Sequence, residues 1–199
     1  MKGKKLKALP ERKLWRRYNL LAGVDEAGRG PIAGPVVASA VILPKNFHNE
    51  EIDDSKKLSP AKRETLYQLI TKEALSFSFG IVDHEVIDKI NILEATKLAM
   101  YQAINSLMPK PEIVLIDAIR LEQLSFKQIP IIKGDTISLS IAAASILAKV
   151  KRDEIMCAYH KEYPQYQFIK HKGYPTKLHR RCVKEYGPCP IHRKTFRLL

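Results

Sequence analysis

The sequence predicts an α/β fold built on one mixed sheet. Three observations point that way. Short apolar runs of strand length alternate with longer segments of helical periodicity. One run, Ile113–Ile116, is continuously apolar, the pattern of a central strand covered on both faces. The isolated acidic residues fall directly after such runs, at the strand ends where α/β sheets build their sites.

Each element has its own signal. Leu20–Val24 is a short apolar run suited to a buried strand. Pro35–Leu43 reads as a second strand, joined to the first through a glycine-rich turn. Ser59-Pro60 combines a cap residue with proline at the first helical position, and Leu66, Leu69 and Ile70 follow at helical spacing. Ser76–Val82 alternates through Phe77, Phe79 and Ile81, as a strand does. Asn91–Leu107 is an amphipathic helix stopped by Pro109. Ile113–Ile116 and Ile129–Ile132 are two more strands. Ile137–Ala158 is a long helix rich in Ala and Ser, whose small side chains allow close approach to a sheet. Residues 1–17 lack a sustained apolar pattern and read as a flexible arm or short helix.

The composition bounds the function. The chain has 199 residues, 45% of them hydrophobic, enough for one domain with a core. A disordered tail and a membrane protein are both poor fits: no apolar run reaches the ~20 residues that span a bilayer, and no h-region follows the basic N-terminus. The three cysteines, Cys157, Cys182 and Cys189, are an odd number. They suggest a reducing, cytoplasmic setting rather than a disulfide framework. The formal charge of +13 is concentrated at the ends. Residues 1–17 carry eight basic side chains against Glu11, and residues 160–199 carry ten against Glu162 and Glu185, so the body between is slightly acidic. Such ends suggest a polyanionic partner, nucleic acid first; solubility alone is the simpler account.

Asp25 and Glu26 close the first strand, Asp117 closes the apolar strand, and Asp135 precedes the long helix. Four carboxylates converging at strand ends raise one another's pKa and call for a cation. Hard divalent ions, Mg²⁺ or Mn²⁺, suit oxygen ligands. Two such ions ~3.5–4 Å apart can activate water and stabilise a leaving oxygen in phosphodiester cleavage. Ordinary accounts stay open. Asp25 and Asp117 also suit strand-end turns, Asp135 suits a helix cap, and adjacent strand residues point to opposite faces, against a shared site for Asp25 and Glu26. A bend at Gly28 would relieve that objection. Between Gly23 and Pro35, the glycines at 28 and 30 flank Arg29 and allow backbone to approach a ligand. The segment has neither the P-loop ending nor the dinucleotide spacing.

Gly23-Val24-Asp25-Glu26-Ala27-Gly28-Arg29-Gly30-Pro31, Asp54–Ser59, Asn91–Thr96, Leu115-Ile116-Asp117, Lys133-Gly134-Asp135, Ala142–Val150 and His171–Thr176 occur in this order. Together they closely resemble bacterial ribonuclease HII, the type 2 ribonuclease H, from about Leu20 onward. The resemblance implies a ribonuclease H-like mixed five-stranded sheet flanked by helices, with additional C-terminal helices. It implies a catalytic domain over residues 20–199; residues 1–19 are a basic arm outside the resemblance, to which no function is carried. It implies endonucleolytic cleavage of the RNA strand of RNA–DNA hybrids and nicking of DNA at embedded ribonucleotides, leaving 5′-phosphate and 3′-hydroxyl ends, in the service of replication and repair. By the same resemblance Asp25, Glu26, Asp117 and Asp135 are the catalytic metal ligands. Gly28, Arg29 and Gly30 read the 2′-hydroxyl at the junction, and Tyr174 senses the neighbouring sugar. The related type HIII enzymes carry an extra N-terminal domain, for which residues 1–19 are too few. A monomer is expected.

Lys56, Lys57, Lys149 and Lys172 suit phosphate contacts that position a duplex without reading sequence. Asp153 is passed over as a ligand, being about five turns further along than Asp135, and Asp153 with Arg152 reads as a surface charge pattern. Cys182, Cys189 and His192 miss the usual zinc spacing. His160, His171 and His179 have no evident acid partner; His171 reads as support for the Gly173-Tyr174 loop. Two other classes remain: a binder that uses only its basic ends, with steep salt dependence and no cutting, and a phosphotransferase on the glycine loop. The latter needs a lysine where Gly34-Pro35 stands.

Overall fold

The computed structural model describes residues 9–45 and 47–199. Val36–Ile42 has one polar side chain, Ser39, and all seven residues are buried. This strand (β2) is interior, between β1 (Leu21–Ala27) and β3 (Ser76–Val82), and is antiparallel to both. On its other side β1 pairs in parallel with β4 (Ile113–Asp117), and β4 in parallel with β5 (Lys127–Ile131). The order is β3-β2-β1-β4-β5, so the expected mixed five-stranded sheet is present.

Helices cover both faces. One face of β1, β2 and β4 (Ala22, Val24, Ala38, Ala40, Val114, Ile116) packs on α3 (His84–Ser106) through Ala99, Met100 and Ala103. The other face meets α2 (Pro60–Glu73) and α4 (Leu139–Glu162) through Leu66, Ile70 and the Ala142–Leu147 stretch. The small residues of α4 do allow the close approach that the sequence suggests. A Cβ added at Gly23 would stand 2.1 Å from the Ser140 carbonyl carbon. Beyond α4, α5 (Phe168–His171) and α6 (Lys177–Tyr186) build the C-terminal segment. No helix of the described residues is long and apolar enough to cross a membrane.

Several boundaries differ from expectation, each for a local reason. The strand read as Leu20–Val24 continues to Ala27, because β2 keeps pairing with Asp25 and Glu26. The helix read from Asn91 begins at His84, capped by the Asp83 carboxylate on the Val86 N–H. Asn91 does start the second half: it sits at φ 67° and its Oδ1 accepts from the Leu93 and Glu94 N–H groups. On β3 the apolar alternation does not face α3. Phe77 and Ile81 are exposed, and Gly80 lies under α3, where a Cβ would stand 1.9 Å from the Ala99 carbonyl oxygen. Within the N-terminal arm, Leu9–Leu14 forms a short helix, α1; residues 1–8 lie outside the described residues.

Gly23→Ala should be poorly tolerated. The methyl group meets backbone, which cannot rotate away, so a loss of about 1–3 kcal/mol or more is expected. A thermal melt should show the midpoint several degrees lower, at ~2–4 °C per kcal/mol for a chain of this size.

Candidate metal centre and nucleic-acid face

Parallel pairing between β1 and β4 stops at Val24 opposite Ile116, while β1 runs on against β2. Asp25 and Glu26 thus stand on a length of strand with one vacated edge, and Asp117 ends β4 beside it. Gly23 faces α4 and Val24 faces α3, so Asp25 belongs to the α4 face and Glu26 to the opposite one. The objection from alternation is met by the missing neighbour: with no strand on that side, side chains reach the edge from both faces. One oxygen each of Asp25, Glu26 and Asp117 lie within 4.8 Å of one another.

The cluster is under electrostatic load. Asp25 is 5% exposed, and its carboxyl is held well above its ordinary 3.8 by burial first, then by the charges of Glu26 and Asp117. The Glu26 N–H, donating to Asp25 Oδ1 at 2.7 Å, acts the other way. Burial also raises Glu26, and Arg29, whose Nη1 is 3.3 Å from Oε1, offsets this only in part. Glu26 Oε2 is buried without a hydrogen-bond partner. Three carboxylates gathered around an orphaned oxygen are a hard donor set short of positive charge, which fits a divalent cation.

Asp135 stands apart from this trio. It lies buried in a 3₁₀ turn, Gly134–Thr136, after β5. Its Oδ2 is 3.7 Å from Lys56 Nζ. Burial and the charges of Asp54 and Asp117 raise its carboxyl, while Lys56 and Lys57 oppose the rise. Its own charge reaches Asp25, and the Gly134 N–H donates to Asp117 Oδ1 at 2.7 Å, so the turn is tied to the cluster.

The glycine loop bends as expected. Gly28 has φ +106°, and a Cβ there would stand 2.3 Å from Arg152 Nε. A Cβ on Gly30 would lie 3.8 Å from Tyr174 Cε1, so the loop and the distant tyrosine form one surface. Lys149 Nζ and the Arg152 guanidinium lie 5.7 and 5.8 Å from the Tyr174 ring centre. Beside them is a cleft of about 620 Å³ lined by Arg63, Lys149, Lys170, Lys172, Asp153 and Tyr174, among others. Of the four lysines singled out, Lys56 is 80% exposed and faces the acidic cluster. Lys57 pairs with Asp53, Lys149 with Asp153 at 2.7 Å, and Lys172 donates to the Ile169 carbonyl.

Of two structural arginines, Arg152 reads from the sequence as a surface residue and Arg193 is passed over. Arg152 and Arg193 are both fully buried, and both donate to backbone carbonyls. Arg193 holds Gly28, Arg29 and Gly34; Arg152 holds Ala33, Pro35 and Lys172. Burial lowers them to about 9 and about 10. The surface reading of Arg152 is therefore wrong: Ser145, Ala148, Arg152 and Met156 share one buried stripe of α4, a spacing that was available in the sequence. Arg193 carries no such signal. The histidines also brace the loop. His171 Nδ1 accepts from the Gly173 N–H, His179 Nδ1 lies 3.0 Å from the Tyr174 carbonyl, and His179 Nε2 lies 3.0 Å from His192 Nε2. Burial drives His179 down to about 4, so this group is neutral at pH 7.

Known proteins resemble this chain in sequence and fold. The family model for Ribonuclease HII matches residues 22–199. The chain belongs to the ribonuclease HII family. Its members include the ribonuclease HII of Caldanaerobacter subterraneus, 59% identical over 94% of this chain and 78% of that protein. The Syntrophus aciditrophicus enzyme is 52% identical over 91% of this chain and 85% of its own. Among solved structures, ribonuclease HII of Archaeoglobus fulgidus, determined with PCNA, superposes with a TM-score of 0.76 at 28% identity, covering 90% of this chain and 96% of that one. The chain is thus a metal-dependent ribonuclease.

Since folding raises Asp25 and Glu26, their contribution to stability is fully present below their ordinary values and is lost as pH rises through the raised ones. Metal-free protein should lose stability from about pH 4 toward neutrality, as thermal melts in chelator would register. Asp25→Asn should raise the metal-free melting midpoint at pH 7 and abolish the upward shift that Mn²⁺ gives the parent.

Proposed function

We propose that this chain cuts the RNA strand of RNA–DNA hybrids and nicks duplex DNA at single embedded ribonucleotides, leaving 5′-phosphate and 3′-hydroxyl ends. Removal of ribonucleotides during replication and repair is the role this serves. One observation carries the reading: the carboxylate cluster and the loop suited to a ribose are joined directly, by Arg29 on Glu26, with Tyr174 against Gly30.

Asp25, Glu26 and Asp117 would hold the divalent cations, Mg²⁺ or Mn²⁺, with Asp135 as the fourth ligand. Such ions, when bound, supply an activated water and stabilise the departing 3′-oxygen. The remaining work falls to the protein. Backbone at Gly28–Gly30 approaches the 2′-hydroxyl, the one group that tells RNA from DNA. Arg193 fixes that backbone by holding the Gly28 and Arg29 carbonyls, and Arg152 holds the Ala33 and Pro35 carbonyls that follow it, so recognition needs no reorganisation. Tyr174, flanked by Lys149 and Arg152, packs on the neighbouring deoxyribose. Lys56, Lys57, Lys149 and Lys172 take phosphates, with Lys56 nearest the acidic cluster.

The test is a DNA duplex with one ribonucleotide. Cleavage should occur at that position with Mg²⁺ or Mn²⁺ and stop with chelator. Asp117→Asn should lower the rate at least ~100-fold while duplex binding persists. Arg29→Ala should shrink the preference for the ribonucleotide over all-DNA. A protein that binds the duplex in the presence of metal and leaves it intact would contradict the reading.

A further inference from the structure

Glu11 is fully buried, and it lies outside the segment that the family model matches. Its Oε1 accepts from the Ser138 hydroxyl and, at 3.0 Å, from the Ser140 N–H; Oε2 is buried without a partner. A buried carboxylate is tolerated when it is hydrogen-bonded, and here one oxygen takes two donors at the N-terminus of a helix while the other takes none. Tethering α1 does not require this carboxylate. Leu14, Trp15 and Tyr18 already pack against the core around Leu21, Leu115 and Ile141, and Lys45 donates to the Trp15 carbonyl.

What Glu11 grips is the start of α4. Ser138 caps that helix, its Oγ accepting from the Ile141 N–H at 3.2 Å. The Ser138 N–H donates to the Gly134 carbonyl at 2.8 Å, and the Gly134 N–H donates to Asp117 Oδ1 at 2.7 Å. A continuous path thus runs from Glu11 through Ser138 and the Gly134–Thr136 turn to Asp117, with Asp135 on the turn itself. At the same place the Ser140 backbone seats on Gly23, two residues before Asp25.

We propose that Glu11 is a positioning residue for the metal centre. It locks the first turn of α4 so that Asp135 and Asp117 present their oxygens to the cation in register with Asp25. The segment from α1 to β1 is then a strut for the site. This rests on the metal reading given above.

The experiment is a titration of Mn²⁺ into the full-length protein without nucleic acid, read from the free-ion electron paramagnetic resonance signal. It is paired with the Mn²⁺ dependence of cleavage and the KM for the ribonucleotide duplex. Glu11→Ala should weaken Mn²⁺ binding and move the activation midpoint up by roughly 10-fold, with KM unchanged. Glu11→Gln keeps an acceptor oxygen and should recover most of the loss, which a general loosening of the fold would not produce. Should Glu11→Ala not fold, Ser138→Ala breaks the same path at its second link and should shift the midpoint in the same direction. Folded variants that bind Mn²⁺ as the parent does would overturn the proposal. A parent that binds no Mn²⁺ would instead overturn the metal reading beneath it.

Discussion

Burial of carboxylates, sharpened by their crowding, is the constraint around which this molecule is arranged. β4 stops one residue past its pairing with β1, and the opened edge lets Asp25, Glu26 and Asp117 crowd together. Left to itself, such a cluster favours protonation or unfolding. The fold holds it by burying the strands that carry it between α3 on one face and α2 with α4 on the other. Stability given up at the edge of β1 is the stability that a bound cation can return.

A second tension, in the neighbouring loop, has the opposite sign. Arg152 and Arg193 are buried cations whose partners are carbonyl groups rather than carboxylates. Their hydrogen bonds gather Gly28, Arg29, Ala33, Gly34, Pro35 and Lys172 around two guanidinium planes, and the five N–H donors of each rigid fork suit that task. The consequence for function is rigidity. A loop so held cannot drift, as the proposed reading of one hydroxyl group would require, and the Tyr174 loop is fixed in the same way by Arg152, His171 and His179. Acid catalysis by these histidines is not needed to explain their burial.

Much of this was legible in the residues. The continuous apolar run of Ile113–Ile116 gave away a central strand, and the Ser59-Pro60 pair located the start of α2. The acidic positions were legible because charges directly after buried strands are rare without a purpose. Other features depend on information that no local pattern carries. That Asp25 and Glu26 can share a site follows from where β4 ends, a property of pairing rather than of β1. Glu11 sits in a basic, weakly patterned arm, so nothing nearby marks it as buried. Arg193 is one cation in a cationic tail. Arg152 is the instructive case: its neighbours Lys151 and Asp153 suggested a solvated face, while the helical spacing from Ser145 and Ala148 placed it inside. Periodicity outranked charge at that position.

The central claim is that these carboxylates are built to share cations. Anomalous scattering from crystals soaked in Mn²⁺ tests it most directly. The account predicts strong peaks among Asp25, Glu26 and Asp117, with Asp135 drawn to the same ions. Peaks only elsewhere on the surface, with the trio left as bare carboxyl groups, would contradict it.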